Sequence, residues 1–122
     1  MNTGTAKTAT LQNRSIKRPN VAVASFNGIE VDLHIGHARQ LWIYGPGEDG
    51  LVCMRGARAT PGPGGGEARW KALAEVLGDC FALLASGAGP KPMKILEDQG
   101  IAVFITEGNI KGSVDIVFGR GK

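Results

Sequence analysis

A chain of 122 residues, 43% apolar and 20% charged, has the composition of one globular domain with enough apolar mass for a modest core. Its net charge of +3 is concentrated at one end: residues 1–19 hold Lys7, Arg14, Lys17 and Arg18 and no acid, so the remainder is near neutral and a nucleic-acid-binding surface on the folded body is not expected. No apolar run approaches the ~18 residues of a membrane span, no apolar signal region opens the chain, and two cysteines are too few for a secreted disulfide scaffold.

These features predict a flexible basic tail over residues 1–19 and a single α/β domain over 20–122, cytoplasmic, with Cys53 and Cys80 as free thiols. VAVAS, residues 21–25, is a short β-branched apolar run of the kind found in buried strands. Phe26-Asn27-Gly28 supplies a turn. After a polar segment, LWIY at 41–44 reads as a second strand, closed by GPGEDG at 45–50, and LVCMRGA at 51–57 as its hairpin partner. ATPGPGGGE, 59–67, has two prolines and four glycines in nine residues and can be only a loop. It delivers the chain to a helix, because Trp70, Leu73, Ala74 and Leu77 recur at i, i+3, i+4 and i+7, with Gly78 placed to end it.

CFALLAS at 80–86 predicts a central strand, and GAGP at 87–90 leads to a second helix with Pro90 or Pro92 in its first turn and Gly100 at its end. IAVFI at 101–105 is another buried strand. Strand, helix, strand in this order implies parallel pairing through right-handed crossovers. SVDIVFG at 113–119 fits either a β-branched strand or, through Val114, Val117 and Phe118, one face of a helix. The sum is a mixed sheet of about five strands with helices on its faces.

The chemistry concentrates in VDLHIGHAR, 31–39, which holds both histidines of the chain, His34 and His37. Imidazoles three apart share a face in a helix and oppose one another in a strand. A turn on Gly36 either brings them together or leaves them as a polar loop. Two histidines do not fill a zinc shell, and no HExxH or CxxC motif is present. His34 is the better ligand candidate, because Asp32 lies close enough in sequence to orient its ring. Cys80 opens an apolar strand and reads as a buried structural thiol, and Cys53 lies mid-strand between Val52 and Met54.

Two glycine-rich stretches precede helices, where backbone N–H groups can meet an anion. PGPGGGE lacks the GKS or GKT ending of a P-loop. SGAGPKP, 86–92, is better placed, at the carboxyl end of a central strand, although a plain strand-to-helix connection explains it equally. No GxSxG elbow is present, and Asp32, Asp79 and Asp115 are scattered, with Asp79 at a helix end; a hydrolase is not expected.

VAVAS, VDLHIGHAR, ALLASGAGPKP and LEDQGIAVF, in this order, resemble the dinitrogenase iron–molybdenum cofactor biosynthesis family, which takes in NifX, NafY and the C-terminal domain of NifB. The likeness runs over roughly residues 20–110. It implies a ribonuclease-H-like three-layer fold and a non-catalytic carrier of an iron–sulfur or iron–molybdenum cluster, working with cluster donor and acceptor proteins as a monomer or weak dimer, without nucleic acid or membrane. It points to His34 as metal ligand and His37 beside it. The loop residues Asn27, Gly28, Gly36, Ser86, Gly87 and Gly89, with the Arg39 guanidinium, would stabilise the cluster's negative charge.

Three departures qualify the likeness. Ile35 stands where the family usually has an aromatic, PGPGGG carries no cysteine, and the CxxxCxxC motif of a radical-SAM segment is missing, so cofactor synthesis by this sequence is not part of the expectation. The rival readings are an enzyme or sensor for a small phosphorylated molecule, using SGAGPKP, and a metal-free interaction module of a larger metalloenzyme.

Overall fold

A computed structural model describes residues 18–62 and 66–119. The elements in chain order are β1 (Asn20–Val23), β2 (Glu30–Val31), a single 3-10 turn (Ile35–His37), β3 (Gln40–Pro46), β4 (Val52–Ala59), α1 (Glu67–Val76), β5 (Cys80–Ala85), α2 (Pro90–Asp98), β6 (Ala102–Ile105), β7 (Gly108–Asn109) and α3 (Ile110–Val117). Five strands form one sheet in the order β4-β3-β1-β5-β6. The pairs β1–β3 and β3–β4 are antiparallel, whereas β1–β5 and β5–β6 are parallel. The expected mixed sheet of about five strands is therefore present, with the hairpin at one edge and the crossover-linked strands at the other.

Strand alternation sorts the core into two layers. Val21, Val23, Ala82 and Leu84 pack beneath α3 with Val114 and Ile110, and Ala22, Ala24, Leu83 and Ala85 pack beneath α1 and α2 with Leu73, Ala74 and Leu96. Helices on both faces give three layers, so the central strands, β1 from Val21 onward and β5, are apolar rather than alternating.

Several boundaries differ from the sequence reading. The hairpin strands β3 and β4 run to Pro46 and Ala59, because the reversal needs only residues 47–51: Gly47 N–H donates to Leu51 O (2.8 Å), Leu51 N–H donates to the Asp49 carboxylate (3.0 Å), and Gly50 adopts φ +81°. The ambiguous last segment is the helix α3, started by the Asn109 carboxamide accepting from Gly112 N–H. The strands β2 and β7 pair only as Glu30↔Asn109 and Val31↔Gly108, too short to carry a hydrophobic period. Residues 1–17 of the basic tail and 63–65 of the PGPGGG loop lie outside the described residues. Arg18, assigned to the tail, donates to the carbonyls of Cys80 (3.0 Å) and Gln99 (2.9 Å) and packs against Gly100.

Asp79 is more than a helix-end residue. Arg58 on β4 grips its carboxylate with two bonds of 2.6 and 2.8 Å, and the Asn20 amide adds a third at 2.8 Å. The Arg58 guanidinium is the main reason the Asp79 carboxyl titrates well below the usual carboxylate range. A depressed folded-state value means that the stabilisation is complete above the unfolded value near ~3.9 and fades as pH falls through the folded one. Asp79→Asn is expected to cost about 1 kcal/mol at pH 7 after allowance for solvent screening. In urea melts from pH 7 to pH 2 the gap between wild type and variant should narrow below about pH 4. A gap that stays constant with pH would detach Asp79 from acid stability.

Candidate functional site

The histidine segment is built onto the carboxyl end of β5. Ser86 N–H donates to Leu33 O (2.9 Å), Ile35 N–H donates to Gly87 O (2.9 Å), and His34 pairs with Gly87 in a parallel bridge. Two motifs far apart in the sequence thereby form one structure. Ile35 is buried in the core and so is Ala38, and these two anchors hold the intervening turn at the surface. His37 N–H closes the turn on His34 O at 2.9 Å.

Partners from later in the chain clamp the outer backbone. Arg69 of α1 donates to Gly36 O (3.0 Å), Thr60 Oγ donates to Ala38 O (2.7 Å), and Thr60 N–H donates to Arg39 O (2.9 Å). Arg69 also lies 4.5 Å from the centre of the Trp70 ring, a cation–π contact that restricts its guanidinium.

The turn brings the two imidazoles together, with ring centres 5.5 Å apart and planes tilted by 42°. Both side chains are exposed. The His34 ring is fixed on both sides. Its Nδ1 accepts from Gly36 N–H at 3.0 Å, and its flank lies on Gly87 so closely that a Cβ there would come within 2.9 Å of Cδ2. Gly87 is thus the seat of the ring. Asp32 does not orient His34, since its carboxylate accepts from Phe26 N–H at 2.9 Å and the nitrogen it was expected to serve is already bonded to the backbone.

His37 and Arg39 stand between two clefts. One, of about 540 Å³, is also lined by Thr60 and Arg69, and the other, of about 370 Å³, by Ser25, Leu33 and Gln40. Neither lining contains an acid, so the field at this surface is that of guanidinium and imidazole groups and favours an anion. Arg69 and Thr60 were not foreseen. Their contacts with the turn span 33 and 22 residues, and no local pattern announces such pairings.

The other expected loop residues are distributed differently. Asn27 uses its carboxamide oxygen to accept from Ile29 N–H (2.8 Å) and Glu30 N–H (3.2 Å), which shapes its own loop. Gly28, at φ +79°, donates to Ser25 Oγ and lies against Trp42, on the side of a separate groove with Cys53 and Met54. Gly89 caps α2, but Pro90 and Pro92 lack N–H groups, so of the first three helical residues only Lys91 offers a donor. The helix-start anion site expected at SGAGPKP is correspondingly poor, and the contribution of this stretch is the Ser86–Gly87 backbone under the histidine turn.

Among the described residues no three His, Cys, Asp or Glu side chains converge as metal ligands. Cys80 is buried, and burial together with the neighbouring Asp79 charge pushes its thiol up to about 12, so it stays protonated and is a poor ligand. Cys53 is exposed on β4. What the arrangement offers is two exposed imidazoles, two guanidinium groups and no enclosing carboxylate: a site able to hold an anionic metal group by few bonds.

No described helix is long and apolar enough to cross a membrane. Known proteins show the same architecture. A crystal structure of the protein PH0822 superposes with a TM-score of 0.57 at 19% identity over 82% of this chain and 90% of its own, and the NMR structure of the Thermotoga protein TM1290, of the DUF35 family, with 0.53 at 20% identity over 84% and 90%. In sequence, the FeMo cofactor biosynthesis protein NifB of Chlorobaculum tepidum is 40% identical over 108 residues, which are 88% of this chain and 26% of that protein. NifB of Klebsiella pneumoniae is 36% identical over 90 residues, 66% of this chain and 19% of its own. The chain spans about a quarter or less of the length of these relatives. The family model described as dinitrogenase iron-molybdenum cofactor matches residues 17–118, a span that takes in the sheet, its helices and the histidine turn, and the chain belongs to that family.

Proposed function

We propose that this chain is a non-catalytic carrier that receives an anionic iron–sulfur or iron–molybdenum cluster and passes it on during nitrogenase-type cofactor assembly in the cytoplasm, between a donor and an acceptor protein. The observation that carries the reading is the paired exposed imidazoles, 5.5 Å apart, of which His37 borders with Arg39 two clefts whose linings contain no acid, one of them also lined by Arg69. Family membership supports the same cargo class. The strand order, with β3 alone running opposite to the other four strands, supports the ribonuclease-H-like assignment of the fold.

The chemistry suits transfer. A cluster with open metal positions takes imidazole nitrogen readily, and the guanidinium groups of Arg39 and Arg69 offset its negative charge without forming bonds to metal. Too few ligands converge to close a coordination shell, so the cluster leaves by breaking one or two bonds. Gly36 and Gly87 keep the backbone low around His34 and leave the space that its ring occupies.

The test is retention. The protein is mixed anaerobically with isolated iron–molybdenum cofactor and desalted, and bound iron and molybdenum are quantified. Wild type is expected to retain metal, and a His34→Ala/His37→Ala variant to lose about tenfold or more of it. Wild type that emerges without metal, while folded by circular dichroism, would sink the carrier reading.

A further inference from the structure

Resting on that reading, we infer that the two histidines have different tasks: His37 is the imidazole that coordinates the incoming metal, and His34 meets the cluster as a hydrogen-bond donor through Nε2–H.

The distinction follows from the backbone around His34. Its Nδ1 accepts from Gly36 N–H at 3.0 Å, and an acceptor nitrogen carries no proton. The neutral ring therefore has its proton on Nε2. Coordination through Nε2 needs the opposite tautomer, with the proton on Nδ1. That proton would point at the Gly36 N–H, putting two donors face to face at 3.0 Å. Metal-bound histidines ordinarily donate their second nitrogen to a carbonyl or carboxylate. His34 has the reverse arrangement, and Asp32, the carboxylate that might have supplied the usual one, is bonded to Phe26 N–H.

Coordination through Nδ1 is equally obstructed, because the Gly36 N–H occupies that lone pair and Gly36 is held from behind by Arg69 on its carbonyl. Turning the ring over would put Cδ2 opposite the Gly36 N–H and leave the turn uncapped. The ring is also confined by Gly87, against which Cδ2 already packs. Nε2–H remains unused on an exposed side chain, and suits a sulfide or other anionic edge of a cluster.

His37 carries none of these constraints. Among the described residues its ring accepts and donates no hydrogen bond, and only its backbone N–H is engaged, on His34 O. It borders both clefts together with Arg39. Either of its nitrogens can present a lone pair.

Two measurements test the assignment. In the metal-free protein, ¹⁵N NMR of His34 should give the pattern of a ring protonated at Nε2 and bare at Nδ1. A ring protonated at Nδ1 would overturn the assignment without any reference to the cluster. Retention of isolated iron–molybdenum cofactor is then compared for His34→Gln, whose amide N–H replaces Nε2–H, and His37→Gln, each first shown to be folded by circular dichroism. His34→Gln is expected to retain cofactor within about threefold of wild type, and His37→Gln to lose about tenfold or more. The nitrogen hyperfine signal of the bound cofactor should survive in His34→Gln and vanish in His37→Gln. The opposite order would make His34 the ligand and overturn the assignment while leaving the carrier standing. Wild type without retained cofactor would overturn both.

Discussion

Replacing Gly87 by valine is expected to lower cluster retention about tenfold or more while costing only about 1 kcal/mol of folding stability. The asymmetry comes from what the new side chain meets. A Cβ at position 87 would stand 2.9 Å from Cδ2 of His34, well inside van der Waals contact. The backbone is not the obstacle, for Gly87 does not hold the left-handed conformation of Gly28 or Gly100. The imidazole is exposed, so the valine displaces it toward solvent instead of overpacking the core. Stability falls mainly by the lost cap on Gly36 N–H, whereas the ring leaves its place beside His37. Gly87→Ala should show the same effect more weakly. Both variants are checked by metal retention after desalting and by the His34 Cε1–H resonance. A valine variant that kept wild-type retention would mean that the seated position of His34 is not needed.

How far the sequence foretold this site can be traced residue by residue. The apolar runs at 21–25 and 80–86 identified the central strands because burial on both faces removes the polar alternation, whereas the equally apolar run at 101–105 is the edge strand β6, with Phe104 and Ile105 exposed. The period through Trp70, Leu73 and Ala74 identified α1 for the corresponding reason. The turn on Gly36 was legible as a turn, but its outcome was not. Whether the two rings converge depends on Ile35 and Ala38 being drawn into the core and on the Arg69 and Thr60 clamps, all of them tertiary. Proximity in sequence suggested Asp32 as the partner of His34, and the competing demand of Phe26 N–H prevailed. At SGAGPKP the glycines drew attention to the helix start, although Pro90 and Pro92, visible in the same seven letters, remove the donors such a site needs. The value of that stretch lies in Gly87, and only the fold reveals which ring it faces.

The largest loss of stability is expected from Leu83→Ala, about 3–5 kcal/mol, which would lower the melting temperature by more than about 10 °C. Leu83 is fully buried in β5, which lies between β1 and the edge strand β6. Across the ladder it faces Ala22 on one side and Val103 on the other, and the next inward residues of β1 and β5 are Ala24 and Ala85. Leucine thus fills the space beneath α1 and α2 in a neighbourhood of small side chains that cannot expand into a vacancy. The packed helices would have to move to close it, and Arg18 and the Arg58–Asp79 pair fix their ends. The upper part of the range for such truncations is therefore expected. The measurement is a urea melt, and a loss below about 1 kcal/mol would show that α1 and α2 can reseat. At a temperature where the variant is still folded, metal retention should stay close to that of wild type, because the turn at His34–His37 is held by the backbone bonds to Ser86 and Gly87 and by Arg69 and Thr60. Leu83→Ala and Gly87→Val, four positions apart, should then show opposite phenotypes. One would lose the sheet and keep the site, and the other would keep the sheet and lose the site.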